Sequence, residues 1–347
     1  MAGRNPQHRV LVVGAGSIGE RHIRCFLATG RCDVSFVEVN EALRQTIAVR
    51  YSARGFASLE EGIATHPEIA VVATPAHLHI DMAMKLAEAG IHLLIEKPLS
   101  TNEAGVQQLT SLVHAKHVVA GVAYVYRSHP ILTDMRKTIA SGTFGPPVQI
   151  VVVAGQHFPT YRPAYREIYY RDRATGGGAI QDALTHLINA GEWLVGPVTR
   201  LVADAAHQVL PGVEVEDTVH ILTRHGNVLG SYNLNQHQAP NETNVTVICE
   251  RGTARFEVHE NRWRWMTAPG GEWQEGLLQL VERDELFTRQ ADLFLDAVER
   301  NGPATCSLPD GLQTLRVNLA ALKSCETATW QSIMQDFNGT ENDPRAN

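Results

Sequence analysis

The sequence of 347 residues is poor in features that would tie it to a membrane, a nucleic acid or an oxidising compartment. Its five cysteines are odd in number and include no C-x-x-C pair, so we expect no disulfide framework and no bound metal. The formal charge is −7 and no long basic run occurs, which argues against a nucleic-acid partner. No apolar run has membrane-spanning length, and the segment Met1 to His8 lacks the apolar core of a signal peptide. We therefore expect a cytoplasmic protein with no membrane partner.

A glycine-rich turn follows the first predicted strand. The apolar run Val10–Val13 leads directly into G-A-G-S-I-G, and a helix is predicted over residues 20–28. In this context Gly14 permits a tight turn, Gly16 lets a pyrophosphate approach the backbone, and Gly19 lets the helix pack on the strand. A chance glycine turn is the alternative. The pattern predicts a dinucleotide-binding loop whose ligand-binding residues are Gly14, Gly16, Ser17, Ile18 and Gly19.

The second predicted strand, Val34–Val37, ends at an acidic residue. Glu38 stands about 20 residues after the glycines, where an acid that binds the ribose is expected. Its carboxylate can accept hydrogen bonds from a 2′-hydroxyl and would repel a 2′-phosphate. No lysine or arginine follows immediately, although Arg44 is near. The sequence therefore predicts NAD as the cofactor and disfavours NADP.

A third signal is the strand Leu93–Ile95, which ends abruptly at Glu96, Lys97 and Pro98. Proline cannot donate to a sheet ladder, so the strand must stop there. In an open parallel sheet the carboxyl ends of the strands face the ligand crevice. We expect Lys97 to be held at that crevice by a rigid element, and the alternative is a surface Glu-Lys pair.

Strands alternate with helices as far as Val122, which predicts a parallel, doubly wound sheet. One of these helices is predicted to start at a Thr101 or Asn102 cap and to run to about Val113. Beyond Tyr124 the strands alternate apolar and polar residues, as half-buried antiparallel strands do. They are predicted at Val148–Ala154, Val198–Ala205, Glu216–Thr223, Val228–Asn235, Asn244–Glu250, Ala254–His259 and Trp263–Ala268, and two closing helices at Asp284–Arg300 and Pro309–Met334.

The predicted fold class is therefore α/β, with two domains. Residues 1–123 form an N-terminal Rossmann domain that binds NAD. Residues 124–337 form a C-terminal α+β domain for substrate binding and oligomerisation, built on a large, mostly antiparallel open sheet, with its last helix packing back on the first domain. Residues 338–347 are predicted to be a frayed tail. Such a sheet leaves one face to be covered, often by another subunit.

Two features interrupt the second sheet. The loop over residues 156–173 is dense in tyrosine and arginine, which suits recognition of polar ligands, although most of these side chains could simply be solvated. After three glycines, a predicted helix carries Asp182 and His186 four residues apart, on one face. A lone buried histidine is usually a satisfied core residue, but an Asp-His pair is harder to dismiss. Asp182 could fix the imidazole tautomer, or both could face a substrate.

Taken together, these motifs resemble the Gfo/Idh/MocA family, the group of glucose-fructose oxidoreductase and inositol dehydrogenase. The resemblance covers about Arg9 to Trp330 and rests on Gly14–Gly19, Thr74-Pro75 with His79, Glu96-Lys97-Pro98, and Gly176-Gly177-Gly178 followed by Asp182 and His186. It implies a Rossmann domain, a second domain whose outer sheet face makes dimers or tetramers, and redox chemistry on a sugar or cyclitol carbon with NAD(P). Cofactor contacts are expected from Glu38, Thr74, Pro75, His79, Glu96 and Lys97, with the alternative that Glu96 only holds Lys97 in place.

The resemblance assigns Lys97, Asp182 and His186 to the catalytic set and implies a cis peptide before Pro98. Two departures stand out. Leu184 occupies a position where the family often has glycine, and Asn189 occupies the position of a later acid. They imply a narrower substrate wall near Leu184 and an altered support for His186.

The leading hypothesis is an NAD(P)-dependent oxidoreductase that transfers a hydride between nicotinamide and a secondary alcohol or ketone of a sugar, amino sugar, cyclitol or acid sugar. His186 would act as the base, Lys97 would stabilise charge on the oxygen, and Asp182 would orient the substrate or His186. A glycoside hydrolase or lyase that uses NAD for transient oxidation is one alternative, and a non-catalytic dinucleotide-binding sensor is another. Substrate contacts are expected from Tyr126, Arg127, His157, Tyr161, Arg162, Tyr165 and Arg173.

Overall fold

In the described part of the chain, six short parallel strands form the first sheet, with helices on both faces. The structure is a computed structural model and describes residues 8–334. The strands are β1 (His8–Val13), β2 (Cys32–Val37), β3 (Arg54–Phe56), β4 (Ile69–Val72), β5 (His92–Ile95) and β6 (Ala120–Val122), in the order β3-β2-β1-β4-β5-β6. The helices between them are α1 (Ser17–Ala28), α2 (Glu41–Tyr51), α3 (Leu59–Ile63), α4 (His79–Glu88) and α5 (Val106–Ala115). The predicted doubly wound Rossmann sheet is confirmed.

The central strands of this sheet are apolar throughout because both of their faces are covered. In β1, Leu11 and Val13 belong to one hydrophobic cluster, while Val10 and Val12 belong to the cluster on the opposite face. All four side chains are almost completely buried. The continuous aliphatic run in this segment of the sequence is therefore explained by burial of both faces of the strand.

Within residues 8–334, nine strands form the second sheet. They are β7 (Pro147–Gly155), β8 (Arg200–Ala206), β9 (Thr218–His225), β10 (Val228–Asn235), β11 (Glu242–Cys249), β12 (Gly252–Glu257), β13 (Arg262–Met266), β14 (Gln274–Leu278) and β15 (Gln331–Ser332). The order is β14-β13-β12-β11-β7-β10-β9-β8-β15, and every neighbouring pair is antiparallel except β7 with β10. The predicted large, mostly antiparallel sheet is confirmed.

One face of the second sheet packs on helices and the other carries exposed apolar residues. The helices of this part are α6 (Pro130–Ala140), the short α7 (Phe158–Tyr161), α8 (Thr185–Val195), α9 (Arg283–Glu299) and α10 (Leu308–Thr327). Along β7, Ile150 and Val152 are fully buried, whereas Val153 is 49% exposed. The alternation of apolar and polar residues along these strands is thus explained by a sheet with one covered face.

Two long helices follow β14 in the chain: α9 packs on the first sheet, and α10 packs on both. Phe294 and Leu295 of α9 lie in the core of the first sheet beside β1 and β2. In α10, Leu315 belongs to a cluster of the first sheet, and Val317 and Ala321 belong to the core of the second. The joint between the sheets is therefore apolar and continuous with both cores.

Some predicted boundaries were wrong. The helix after Pro98 begins at Val106 rather than at a Thr101 or Asn102 cap, because the Asn102 side chain caps a turn by accepting from the N–H of Ala104. The last helix ends at Thr327, and the two residues of β15 then pair with β8 at the edge of the sheet. Strands β3, β14 and β15 were not predicted. The predicted tail, residues 338–347, lies outside the described residues.

Buried histidines make the fold sensitive to acid. His129 is 1% exposed and packs edge-on against Phe256, with ring centroids 4.9 Å apart. Burial, and then the charge of Arg289, lower its pKa to about 4. Since the folded pKa lies below the unfolded value, this group's stability contribution is complete above about pH 6.5 and is lost as the pH falls through 4.

We predict that His129→Phe reduces the acid sensitivity of folding. Between pH 6.5 and 4 the wild type should lose on the order of 2–3 kcal/mol of unfolding free energy through this histidine alone, and the variant should keep that increment. Urea unfolding at several pH values measures the difference. His114→Phe, on the exposed surface of α5, is the control and should keep the wild-type slope. Equal slopes for all three proteins would contradict the assignment.

Candidate active site

The glycine loop between β1 and α1 has the shape that a pyrophosphate requires. Gly14 has a φ of +90°, and a Cβ there would lie 3.0 Å from the carbonyl oxygen of Ala73. A Cβ on Gly19 would collide with the carbonyl oxygen of Gly14, whereas one on Gly16 would meet no atom within 4 Å. No side chain caps the start of α1 at Gly16, so its first N–H groups are available to an anion. The loop therefore fits the predicted dinucleotide.

Glu38 lies beside this loop. Its carboxylate accepts from the N–H of Ala15 at 3.0 Å and from the N–H of Asn40 at 2.9 Å, which fixes it at the end of β2. A carboxylate has about four acceptor sites, so capacity remains for ribose hydroxyls. Arg44 donates to the Glu38 carbonyl oxygen at 2.6 Å, so this nearby cation is held by the backbone. The arrangement agrees with NAD rather than NADP.

The end of β4 supplies Thr74, Pro75 and His79. The buried His79 ring joins two loops, with Nε2 lying 2.7 Å from the Thr74 carbonyl oxygen and Nδ1 3.0 Å from that of Pro98. Burial lowers the pKa of His79, so the ring is neutral and only one of these nitrogens can donate. The Thr74 hydroxyl is buried and has no hydrogen-bond partner within residues 8–334. This hydroxyl is therefore available for a hydrogen bond to a bound cofactor.

A buried pair of side chains, Glu96 and His22, holds the residues that follow β5. Glu96 Oε1 lies 2.7 Å from Nε2 of His22 on α1, and both side chains are almost completely buried. The other carboxylate oxygen of Glu96 accepts from the N–H of Lys97 at 3.0 Å. The peptide between Lys97 and Pro98 is cis, as the resemblance implies. The backbone of Lys97 is thereby tied to the helix that begins at the glycine loop.

Lys97 reaches across to the second sheet. Its Nζ donates to Asp182 twice, to Oδ1 at 2.9 Å and to the carbonyl oxygen at 2.8 Å. An ammonium group has three protons, so one remains for another acceptor. Asp182 lies in a π-helical turn, Ile180–Leu184, directly before α8, and such turns are frequent at functional sites.

Asp182 is held as a carboxylate. Burial alone would raise its pKa, but the charge of Lys97 and a hydrogen bond from the Tyr169 hydroxyl, 2.6 Å from Oδ1, hold the pKa well below its usual range. Tyr169 was missed as a site residue. The sequence signal was the tyrosine-rich loop, in which nothing distinguishes Tyr169 from its neighbours.

His186 lies between two tyrosine rings. The centroids of Tyr124 and Tyr126 are 6.0 and 5.9 Å from that of His186. Burial, followed by the positive charge of Lys97, lowers the pKa of His186 to about 3, so the imidazole is neutral at pH 7. Its Nδ1 has no hydrogen-bond partner within residues 8–334, so Asp182 does not fix the tautomer.

The two departures from the family motif have structural explanations. Leu184 is fully buried in the core of the second sheet, so it does not narrow a substrate wall as expected. Asn189 accepts from Arg127 at 2.9 Å and donates to the Thr314 hydroxyl at 2.9 Å, and it makes no hydrogen bond to His186.

Four of the predicted substrate-binding residues are engaged elsewhere. Arg127 is buried with Asn189 and Asp310. His157 contacts the Thr160 hydroxyl, the Tyr165 hydroxyl donates to the Pro211 carbonyl, and Arg173 pairs with Glu216. Tyr126, Tyr161 and Arg162 keep free polar groups: no side-chain hydrogen bond to them occurs in the part of the chain that the structure describes.

No group of three metal-ligating side chains comes together within residues 8–334. In the same range, no helix is both long enough and apolar enough to cross a membrane.

The glycine loop yields a matched pair of variants. Gly16→Ala should change the unfolding free energy of the apoprotein by less than about 1 kcal/mol, because its methyl group enters open space, yet weaken NADH binding at least about tenfold. Gly19→Ala should destabilise the apoprotein by about 1–3 kcal/mol, because its methyl group meets the Gly14 carbonyl. Urea unfolding and NADH fluorescence titration separate the effects. A Gly16→Ala protein that binds NADH normally would contradict this geometry.

Two family models match the chain. The model described as the oxidoreductase family with an NAD-binding Rossmann fold matches residues 8–124, and the model of the GFO/IDH/MocA C-terminal domain matches residues 132–255. Together they span well over half of the sequence.

Curated relatives span nearly the same length. Levoglucosan dehydrogenase of Pseudarthrobacter phenanthrenivorans is 26% identical over 351 aligned residues, covering 86% of this chain and 88% of its own. UDP-N-acetylglucosamine 3-dehydrogenase of Acidithiobacillus ferrooxidans is 25% identical, covering 91% and 95%. Inositol 2-dehydrogenase of Corynebacterium glutamicum is 27% identical, covering 82% of each chain.

Solved structures share the fold. Levoglucosan dehydrogenase in complex with NADH and levoglucosan superposes with a TM-score of 0.85 at 22% identity, covering 94% of this chain and all of the other. The WlbA dehydrogenase from Bordetella pertussis in complex with NADH and UDP-GlcNAcA gives 0.83 at 24% identity, covering 96% and 99%. With both halves matched by its models, the chain belongs to the Gfo/Idh/MocA family of oxidoreductases, and its first domain is an NAD-binding Rossmann fold.

Proposed function

We propose that the protein is an NAD-dependent dehydrogenase that oxidises a secondary alcohol of a sugar-like substrate between Lys97 and His186. The observation that carries the proposal is the pair of hydrogen bonds from Lys97 to Asp182, which stands one helical turn before His186. Lys97 comes from the end of β5, next to the cofactor loop, and His186 comes from α8 of the second sheet. The names of the relatives, which act on levoglucosan, inositol and UDP-N-acetylglucosamine, support a sugar or cyclitol substrate.

The state of each side chain suits a division of roles. His186 is neutral at pH 7 and can accept a proton from the substrate hydroxyl. Lys97 uses two of its protons on Asp182, and its third can donate to the same substrate oxygen as negative charge develops there. Asp182 orients the ammonium group and is itself oriented by Tyr169. The nicotinamide, when bound along the edge formed by the glycine loop and Glu38, supplies the acceptor for the hydride.

We predict that Lys97→Ala and His186→Ala each lower kcat about 10²–10⁴-fold while NADH affinity stays near that of the wild type. Lys85→Ala and His114→Ala remove the same residue types from exposed surface and serve as controls. Steady-state assays with NAD and NADH titrations measure the two quantities. Wild-type kcat in either site variant would end the role assignment.

A screen with NAD and NADP over levoglucosan, inositols, nucleotide sugars and sugar acids tests the reaction itself. A dehydrogenase accumulates NADH in step with product. The hydrolase or lyase alternative releases product without net NADH, and the sensor alternative turns over no compound. No observation in the structure favours either alternative.

We also propose a homodimer or homotetramer that associates through the outer face of the second sheet. Support comes from exposed apolar side chains on neighbouring strands of that face, including Val153, Leu222 and Leu229. Light scattering of the wild type and of Leu222→Lys would measure the association state.

The five free cysteines support a reducing compartment such as the cytoplasm. We propose, as predicted from the sequence, that the boundary between the two domains lies between residues 123 and 124.

A further inference from the structure

A residue far along the chain caps the π-helical turn that carries Asp182. The first N–H groups of a helix have no partner within the helix, and the three glycines at residues 176–178 offer no side chain to accept from them. Glu216, which lies two residues before β9, supplies the acceptors. Its Oε1 accepts from the N–H of Ile180 at 3.1 Å, and its carbonyl oxygen accepts from the N–H of Ala179 at 3.0 Å. The cap of this turn therefore comes from a residue 36 positions after Ile180.

The Glu216 carboxylate is held on its other side by an arginine. Its Oε2 accepts from Nε of Arg173 at 2.9 Å and lies 2.8 Å from Nη2 of the same guanidinium group. The Glu216 side chain is completely buried, whereas that of Arg173 is half exposed. Charge-assisted hydrogen bonds of this kind fix the orientation of a buried carboxylate. Glu216 is thus fixed between the end of the tyrosine-rich loop and the start of the turn.

The glycines before the turn make room for these contacts. Gly178 has a φ of +90°, and a Cβ there would collide with the Glu216 carboxylate. A Cβ on Gly177 would collide with the backbone of Tyr169 and Tyr170. Because these positions lack a side chain, Glu216 and the tyrosine-rich loop can both lie directly against the start of the turn.

The turn has to be placed accurately because two oxygens of Asp182 bind the same ammonium group. Lys97 donates to the carbonyl oxygen and to Oδ1 of Asp182. The carbonyl oxygen belongs to the backbone, so rotation of the Asp182 side chain cannot restore both bonds once the turn has shifted. A displacement of about 1 Å can lower a reaction rate about 10²-fold. Ile180, where Glu216 holds the backbone, stands only two residues before Asp182.

We propose that Glu216 is a positioning residue of the reaction, which fixes the start of the π-helical turn so that the carbonyl oxygen and Oδ1 of Asp182 face Lys97 together. Glu216 acts through the backbone of the turn, by its bond to the N–H of Ile180. This inference rests on the proposed function for the role of Lys97 in the reaction.

Two conservative variants separate the reach of the Glu216 side chain from its charge. Glu216→Gln keeps an oxygen that can accept from the N–H of Ile180 but loses the charge, whereas Glu216→Asp keeps the charge on a side chain that is one methylene shorter. With the compound that the screen identifies, Glu216→Asp should lower kcat about 10–100-fold, and Glu216→Gln should stay within about threefold of the wild type. NADH affinity should stay near the wild-type value in both. If Glu216 only stabilised the fold through its ion pair with Arg173, Glu216→Gln would be the more damaging change.

Glu257→Asp and Glu257→Gln are the matched controls. Glu257 is also buried and paired with arginines, Arg262 and Arg264, but it lies on β12. Both control variants should keep the wild-type kcat. Steady-state assays at saturating NAD measure kcat, and urea unfolding verifies that folded proteins are compared. A wild-type kcat in Glu216→Asp, or a larger loss in Glu216→Gln than in Glu216→Asp, would overturn the inference.

A structural test does not depend on turnover. Crystal structures of the wild type, Glu216→Asp and Glu257→Asp, each with NADH, would show whether Lys97 still binds both oxygens of Asp182. At least one of these two bonds should be absent in Glu216→Asp, and both should be present in the other two proteins. Loss of a bond in Glu216→Asp, in a protein whose wild type oxidises no sugar, would remove the proposed function and leave Glu216 as the residue that positions Asp182. Two intact bonds in Glu216→Asp would overturn this inference alone.

Discussion

The double contact of Lys97 with Asp182 is the constraint on which the site depends. It joins the end of β5 in the first sheet to the π-helical turn that begins the helix carrying His186, so it sets the distance between the two halves of the site. Both side chains are about nine-tenths buried. A buried ion pair tolerates the loss of one partner badly, since the other is left as an uncompensated charge costing about 3–5 kcal/mol. The site therefore requires Lys97 and Asp182 to keep both their positions and their charged states.

Several of the predicted site residues were predicted from local sequence patterns. The glycine loop, Glu38 and Lys97 each follow a buried strand, and the parallel order of those strands brings their ends to one edge. Asp182 and His186 stood out because an apolar helix seldom carries two polar groups without a purpose. The position of each of these residues in the fold can be predicted from a short stretch of sequence around it.

The residues that sequence reasoning missed depend on contacts between distant segments. Tyr169 donates to Asp182, but the loop around it contains several similar tyrosines, of which Tyr165 is buried against Pro211 instead. Arg127, by contrast, was predicted to contact the substrate, but its buried guanidinium binds Asn189 and Asp310. Periodicity and spacing cannot separate these outcomes, because which arginine finds an acid is decided only by packing.

The charges around His186 connect binding with proton transfer. The positive charge of Lys97 helps keep the pKa of His186 near 3, which makes the free imidazole neutral but a weak base. A general base works best when its pKa lies near the operating pH. Negative charge that develops on a substrate oxygen beside Lys97 would offset part of that positive charge, and the proton affinity of His186 would then rise. Because such coupling is reciprocal, protonation of His186 would weaken the binding of a cationic group and strengthen that of an anionic one. Substrate binding and proton transfer are therefore coupled through the charge of Lys97.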